Sequence, residues 1–343
     1  MRKRKAIALL SGGLDSTLAV RIVQDQGIEL EAVNFLTPFC TCTSRNSCQL
    51  ACRQAAETMN IPLKVINVFS EYLDIVRHPE HGYGKNMNPC IDCRIFMFRR
   101  AKDYMEERGA SFLVTGEVLG ERPMSQRRES METIDRDTGL GGLILRPLSA
   151  QLLPPTIPEK NGWIERDRLL SISGRSRKPQ MKLAEKFGIN DYPCPAGGCL
   201  LTDGNFASRL RDIFRHSTDI SLNDINLLKS GRHFRLSNRG KIVVGRNEEE
   251  NEQIFSLASE GDLCFKMIDS LGPLTIARGV LDDADTLIAA SITARYGKEK
   301  EKERVKIACL RVKESRDRES IIKSQKVLSV TPLTDEEIEP LRI

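Results

Sequence analysis

Two short stretches carry residue types and spacings that could do chemistry: Ser11-Gly12-Gly13-Leu14-Asp15-Ser16 and Cys90-Ile91-Asp92-Cys93. The first follows an apolar run, Ala6 to Leu10, that reads as a buried strand. It precedes Thr17 to Val23, which has helical spacing. A strand, a glycine turn bearing hydroxyls and then a helix make an anion site. Free backbone N–H groups and the positive end of the helix dipole face the turn. Gly12 and Gly13 let the backbone approach a phosphate closely. Ser11 and Ser16 offer hydroxyl donors, and the Asp15 carboxylate suits a magnesium ion. No GxxxxGK[ST] string occurs in the chain, which excludes the common nucleotide P-loop.

Ten cysteines point to metal, cluster or redox chemistry in a reducing compartment. Cys90 and Cys93 lie just before a strong helix pattern. That position is expected to lower thiol pKa and to let both sulfurs share one metal or cluster. Far downstream, Cys194 and Cys199 lie in a loop rich in Pro and Gly. Three chemistries are open. Three thiolates suit a [4Fe-4S] cluster with one open iron. Four suit a closed zinc site. A pair, Cys93 with Cys199, suits persulfide transfer. Cys40, Cys42, Cys48 and Cys52 form a second group after the second strand, where zinc, another cluster or simple burial are open. Cys264 and Cys309 stand in apolar, strand-like contexts and read as core. His78 and His81 flank a loop before Cys90 and read as surface or supporting groups rather than ligands.

These residues need a frame to hold them. Strand patterns at Ala6–Leu10, Leu30–Phe35, Leu63–Val68 and Phe112–Thr115 alternate with helix patterns at Asp15–Gln26, Cys48–Met59 and Arg94–Arg108. Such alternation predicts an α/β fold with a doubly wound parallel sheet, its ligands at the carboxyl ends of the strands. That edge holds Ser11 to Ser16, the segment after Phe35, and Gly116-Glu117. Prolines then cluster at Pro147, Pro154, Pro155 and Pro158, and a short helix pattern spans Lys178 to Phe187. Further on, Phe234 to Val244 reads as a hairpin, Asn247–Leu257 and Ala284–Tyr296 as helices, and Val305–Val312 and Lys326–Val330 as strands. The expected organisation is a nucleotide domain over 1–150, a linker with a small helical module and cysteine loop over 151–205, and a smaller α+β domain over 206–343.

The 343 residues are 40% hydrophobic and 29% charged, a globular composition. No apolar stretch approaches the roughly 18 residues of a membrane span. The apolar run after Met1-Arg-Lys-Arg-Lys is better used as a strand than as a signal peptide, so no membrane association and a cytoplasmic location are expected. Net charge is +5, and the basic residues are clustered. Arg168, Arg175, Arg177, Lys178 and Lys182 stand together without an acidic residue, and Arg122, Arg127 and Arg128 form a second basic loop. Both suit a phosphate backbone.

The pattern SGGLDS resembles the PP-loop of ATP pyrophosphatases, which cleave ATP to AMP and pyrophosphate. With Val114-Thr-Gly-Glu-Val-Leu-Gly120, Ser125-Gln126, Arg146-Pro-Leu148 and Ser173-Gly-Arg-Ser-Arg177, it resembles tRNA 4-thiouridine synthetases; Glu121 stands where that family has Gln. Cys90, Cys93 and Cys199 resemble positions used by PP-loop tRNA thiolases generally. Lys241 to Asn251 and Ala289 to Lys298 resemble the RNA-binding domain of NFACT proteins. The resemblance implies ATP and Mg2+ on Ser11, Gly12, Gly13, Asp15 and Ser16, with Phe35, Gly116 and Glu117 beside the nucleotide. Asp15, Cys93 and Cys199 are its implied catalytic groups. It implies a [4Fe-4S] cluster on Cys90, Cys93 and Cys199, with Cys194 as the alternative third ligand. It also implies thiolation of a tRNA uridine after adenylation of its carbonyl oxygen, giving 4-thiouridine, or 2-thiouridine at the wobble position by the same chemistry. Neither an amino-terminal RNA-binding module nor a rhodanese-like domain is recognised. The expected sulfur donor is sulfide or the persulfide of a cysteine desulfurase, and a homodimer is an expected assembly. The rival reading is a PP-loop ligase or amidotransferase acting on a small carboxylate.

Overall fold

The structure, a computed structural model, describes residues 4–40, 48–189, 192, 198–313 and 326–343; the Cys48 side chain falls outside this set. It divides into two compact units that meet in sequence between Thr202 and Asp203.

In the first unit, β1 (Lys5–Leu9) has cores on both sides, because successive side chains on a strand point to opposite faces. Ala6 and Ala8 enter one core with Leu14, Leu18 and Phe112, and Ile7 enters another with Val33, Phe98 and Leu113. β2 (Glu29–Leu36) and β4 (Phe112–Thr115) flank β1 in parallel register, while β3 (Leu63–Asn67) and the short β5 (Ile144–Leu145) complete the order β3-β2-β1-β4-β5. α1 (Leu14–Gln24) and α2 (Cys48–Thr58) cover one face of this sheet. α4 (Cys90–Glu107) and α5 (Arg128–Asp137) cover the other, and α3 (Phe69–Arg77) precedes α4. This is the doubly wound parallel sheet that the alternating pattern predicts. Strand order reverses between β1 and β4, and in such sheets the reversal opens a crevice at the carboxyl edge.

After β5, α6 (Ile157–Lys160) and α7 (Lys178–Phe187) follow. Ile164, Leu169, Ala184 and Ile189 bury against the α1 side of the sheet, so this stretch packs within the first unit.

The second unit begins with α8 (Gly204–His216) and α9 (Leu222–Leu227). An antiparallel sheet of order β11-β10-β8-β9-β7-β6 follows. It is built from β6 (Arg232–Arg235), β7 (Gly240–Val244), β8 (Leu263–Met267), β9 (Thr275–Gly279), β10 (Val305–Arg311) and β11 (Lys326–Val330). α11 (Asp283–Arg295) covers one face through Ala289, Ala290 and Ile292. Leu227 of α9 and Ile254 of α10 (Glu248–Ser256) cover part of the other. Cys264 and Cys309 are buried in these two cores, as their apolar contexts predict.

Candidate active site

The Ser11–Ser16 segment leaves β1 and enters α1 at the crevice between β1 and β4. Gly12 adopts φ +78°, and a Cβ there would lie 2.5 Å from the Cys52 nitrogen in α2. Gly13 is the N-cap of α1. The loop hydroxyls bond within the loop: Ser16 Oγ donates to the Gly13 carbonyl at 2.9 Å and accepts from Ser11 N–H at 3.3 Å. Ser11 Oγ lies 3.1 Å from Ser16 Oγ and accepts from Gly13 N–H. Across the crevice, Gly116 follows β4. A Cβ at Gly116 would sit 2.4 Å from Ser16 N and 2.5 Å from the Asp15 carbonyl carbon, so the two loops meet backbone to backbone.

Asp15 sits in the first turn of α1. Burial raises its carboxyl pKa, against the charge of Arg177, whose guanidinium lies 3.8 Å away. Gln180 of α7 also faces Asp15. Asp15 Oδ1, Arg177 Nε and both amide atoms of the fully buried Gln180 lack hydrogen-bond partners. Buried polar atoms are normally satisfied, so this set points to a polar ligand. Glu121 lies within electrostatic reach of Asp15 and Arg177, and burial, then the Asp15 charge, push its pKa up to about 7.

Glu117 is placed differently from the other nucleotide residues expected from sequence. It is 1% exposed and pairs with Arg146 Nε at 3.0 Å and Arg94 Nε at 3.3 Å. Arg146 in turn holds Asp135 bidentately at 3.0 and 2.7 Å. This buried network ties the end of β4 to α4 and α5. Phe35 is half-buried near the end of β2 and packs at the margin of the α4-side core. Gln126 Oε1 accepts from Val118 N–H at 2.9 Å and holds the loop after β4.

The helix expected from Arg94 begins at Cys90, with Pro89 as its N-cap, so Cys90 and Cys93 occupy its first turn. The helix start does not lower their pKa. Burial is the largest influence on each: Cys90 rises to about 11, Cys93 rises, and Cys199 rises to about 12. The Cys93 and Cys90 charges both act on Cys199, as does Cys40. The Tyr72 hydroxyl hydrogen-bonds Cys93, and Asn88 Nδ2 donates to Cys90 Sγ at 2.8 Å. Phe39 and Phe96 pack on the Tyr72 ring, with centroids 5.8 and 6.0 Å away. His81 Nδ1 lies 2.9 Å from Asp92 Oδ1 and Nε2 lies 3.1 Å from Asp137 Oδ2, bracing the same first turn. His81 thus supports the cysteine turn.

The second cysteine group does not stay together. Cys52 turns into the α1-side core and donates to the Leu10 carbonyl at 3.1 Å. Cys40 forms an antiparallel bridge with Cys199. Cys42 and Cys194 lie outside the described residues, as does the Cys48 side chain. Tyr72, Gln180 and the Cys40–Cys199 pairing escape sequence reasoning, since each is a contact between distant segments with no local signature, while Asn88 bonds a cysteine only two residues on and was not singled out.

The two basic loops meet beside the crevice. Leu119 bridges Ser173, and Gly174 N–H donates to the Leu119 carbonyl at 2.8 Å. Arg122, Arg127 and Arg128 on one side, and Arg175, Lys178 and Lys182 on the other, are exposed.

Among known proteins, residues 2–151 match the family described as thiamine biosynthesis protein (ThiI), and residues 231–342 match the NFACT protein RNA binding domain. A probable tRNA sulfurtransferase of Lysinibacillus sphaericus (strain C3-41) is 35% identical over 148 residues, covering 42% of this chain and 34% of that protein. A tRNA-specific 2-thiouridylase MnmA of Pseudomonas fluorescens (strain Pf0-1) is 30% identical over 240 residues, covering 63% of each. The chain spans less than two thirds of the length of the curated relatives it matches. Among solved structures, a 4-thiouridine synthetase–RNA complex with bound ATP is similar at 23% identity and a TM-score of 0.35, covering 53% of this chain and 50% of that one. The stretch that matches the ThiI family, residues 2–151, holds the Ser11–Ser16 loop and the parallel sheet, and the stretch that matches the NFACT protein RNA binding domain, residues 231–342, holds the antiparallel sheet.

Proposed function

We propose that this protein is an ATP-dependent tRNA sulfurtransferase. It adenylates a uridine carbonyl oxygen and replaces that oxygen with sulfur, giving 4-thiouridine. The observation that carries the reading is one of placement. The phosphate-type loop after β1 and the segment bearing Cys40 after β2 leave neighbouring parallel strands at the same edge, and Cys199, Cys90 and Cys93 gather at the latter. The names of the tRNA sulfurtransferase relatives support the substrate class. The longer alignment to a 2-thiouridylase favours 2-thiouridine as the second reading.

ATP is the co-substrate. Loop N–H groups, the α1 dipole and Arg177 bind its phosphates. The uridine oxygen attacks the α-phosphate, and pyrophosphate leaves while the loop N–H groups face its growing charge. Sulfur then adds at the activated carbon and AMP departs. Activation comes first because AMP is a far better leaving group than oxide. The donor set fits a magnesium ion at Asp15, whose orphaned Oδ1 is buried, and magnesium would supply charge neutralisation for the phosphates. The thiols of Cys90, Cys93 and Cys199 fit a [4Fe-4S] cluster. Such a cluster would supply an iron with a free position for sulfur. Because burial holds these thiols protonated, loading it releases their protons. The sulfur comes from sulfide, which needs no reductant, or from the outer sulfur of a cysteine desulfurase persulfide, which a second thiol releases by two-electron exchange as it forms a disulfide; the second unit holds the tRNA.

The test pairs chemistry with product. Asp15→Ala and Ser16→Ala are expected to abolish tRNA-stimulated pyrophosphate release in folded protein. Nucleoside analysis of the modified tRNA is expected to show 4-thiouridine. Unchanged pyrophosphate release in either variant removes that residue from the mechanism, and 2-thiouridine as the product moves the reading to the second.

A further inference from the structure

The bridge between Cys40 and Cys199 has a register that fixes its chemistry. Leu200 N–H donates to the Phe39 carbonyl at 2.9 Å. This places Cys40 and Cys199 opposite each other at the non-hydrogen-bonded position of an antiparallel ladder. At that position the Cα atoms lie about 4.5 Å apart and the side chains leave from the same face. Disulfides span Cα distances of about 4.4–6.8 Å. Both residues carry reduced thiols and both are partly exposed.

We propose that Cys40 and Cys199 form a redox-active pair, a site that joins Cys40 to the sulfur centre and separates it from Cys52. A two-electron oxidant of the disulfide, peroxide or diazene class closes the pair. The two thiols lose two protons and two electrons, one S–S bond forms, and the oxidant is reduced by the same two electrons. A dithiol reverses the step by exchange. Closure takes Cys199 out of the set with Cys90 and Cys93, so the oxidised protein loses a metal ligand. That last consequence rests on the cluster reading above, whereas the pairing does not.

Cys93 is the competing partner for Cys199. It stands on α4 with the Tyr72 hydroxyl bonded to it, and no backbone ladder links it to Cys199. The ladder therefore selects Cys40.

The test uses full-length, metal-free protein. It is oxidised with diamide, the remaining thiols are alkylated, and the disulfides are mapped by peptide mass spectrometry. The expected product is a Cys40–Cys199 disulfide with Cys90 and Cys93 alkylated. The oxidised wild type is expected to fail to take up iron and sulfide until treated with dithiothreitol. Oxidised Cys40→Ser, and Cys40→Ala should the first variant misfold by circular dichroism, is expected to keep that uptake. A Cys93–Cys199 disulfide, or Cys199 left as a thiol, overturns the pairing. Absence of iron uptake by the reduced wild type overturns the cluster reading instead, and the disulfide map still decides the pair.

Discussion

Gly116 has no side chain to donate or ligate, yet it sets how closely the two loops of the crevice approach. The atoms that a Cβ would meet, Ser16 N, Asp15 C and Ser16 Cα, are all backbone and lie 2.4–2.6 Å away. None can swing aside, so Gly116→Ala must push the β4 loop off the α1 N-terminus. The expected cost is about 2 kcal/mol of stability, in the range of overpacked interiors, together with loss of ATP binding. Gly141→Ala is the control, since open space surrounds that position. Wild-type ATP affinity in Gly116→Ala, by calorimetry on both variants, would show that the contact is not needed. At this scale the sequence was informative where chemistry is local. Ser11 to Ser16 announce themselves by type and spacing. Glu117 was legible as important, but its burial between Arg146 and Arg94 was not. An ion pair is a property of two distant residues, and a single sequence prints neither the distance nor the partner.

Elements show the same division. The pattern Phe112–Thr115 gives β4 in full, because a short apolar run between turn signals fits few alternatives. α4 begins four residues before the expected Arg94 because Pro89 can sit at a helix start, which draws the CxxC into the first turn. The sequence marks β8 only through the strand-like context of Cys264, and it gives no strand pattern for β9. Their strand character depends on a sheet assembled from distant pairings, and short apolar runs are ambiguous alone. That sheet also contains a feature that periodicity conceals. Lys241 of β7 lies directly between Arg235 of β6 and Arg278 of β9. Asp212 pairs with Arg235, and Asp224 and Asp262 pair with Arg278, while the Lys241 amine has no hydrogen-bond partner. Burial lowers its pKa to about 8. Below pH 8 both folded and unfolded chains carry the proton, so the folded state bears the whole cost of a buried charge. Between about 8 and 10.5 the folded protein releases the proton first, and stability rises with pH relative to a chain lacking the lysine. Lys241→Met is therefore expected to stabilise the second unit by about 3 kcal/mol at pH 7. The gain should narrow as pH rises through that window. Urea denaturation at pH 7 and at stepwise higher pH checks this. A less stable variant at pH 7, or a gap that stays constant, would show that Lys241 contributes favourable contacts outweighing its desolvation.

For the whole molecule, the question is whether the two units divide the work. Each has its own hydrophobic cores, on both faces of the parallel sheet and on both faces of the antiparallel one. The boundary also divides local bonds cleanly. The Thr202 carbonyl accepts from Asn86 Nδ2 at 2.7 Å and the Leu201 carbonyl accepts from Met87 N–H at 3.0 Å, so both stay with the first unit. Asp203 caps α8 by accepting from Phe206 N–H at 2.8 Å, which stays with the second. A chain ending at Thr202 therefore keeps the parallel sheet, the crevice and the Cys40, Cys90, Cys93 and Cys199 site. It loses the stretch that matches an RNA binding domain. The expected outcome is unchanged ATP affinity with much weaker tRNA binding, and thiolation that recovers as tRNA concentration is raised. The residual binding is expected to come from Arg122, Arg127, Arg128, Arg175 and Lys178 at the crevice rim, so it should fall steeply with salt. Titration of tRNA against both chains at matched ionic strength, beside ATP calorimetry, makes the comparison. Equal tRNA affinities would move RNA recognition entirely onto the first unit, and loss of ATP binding would show that the units do not fold independently.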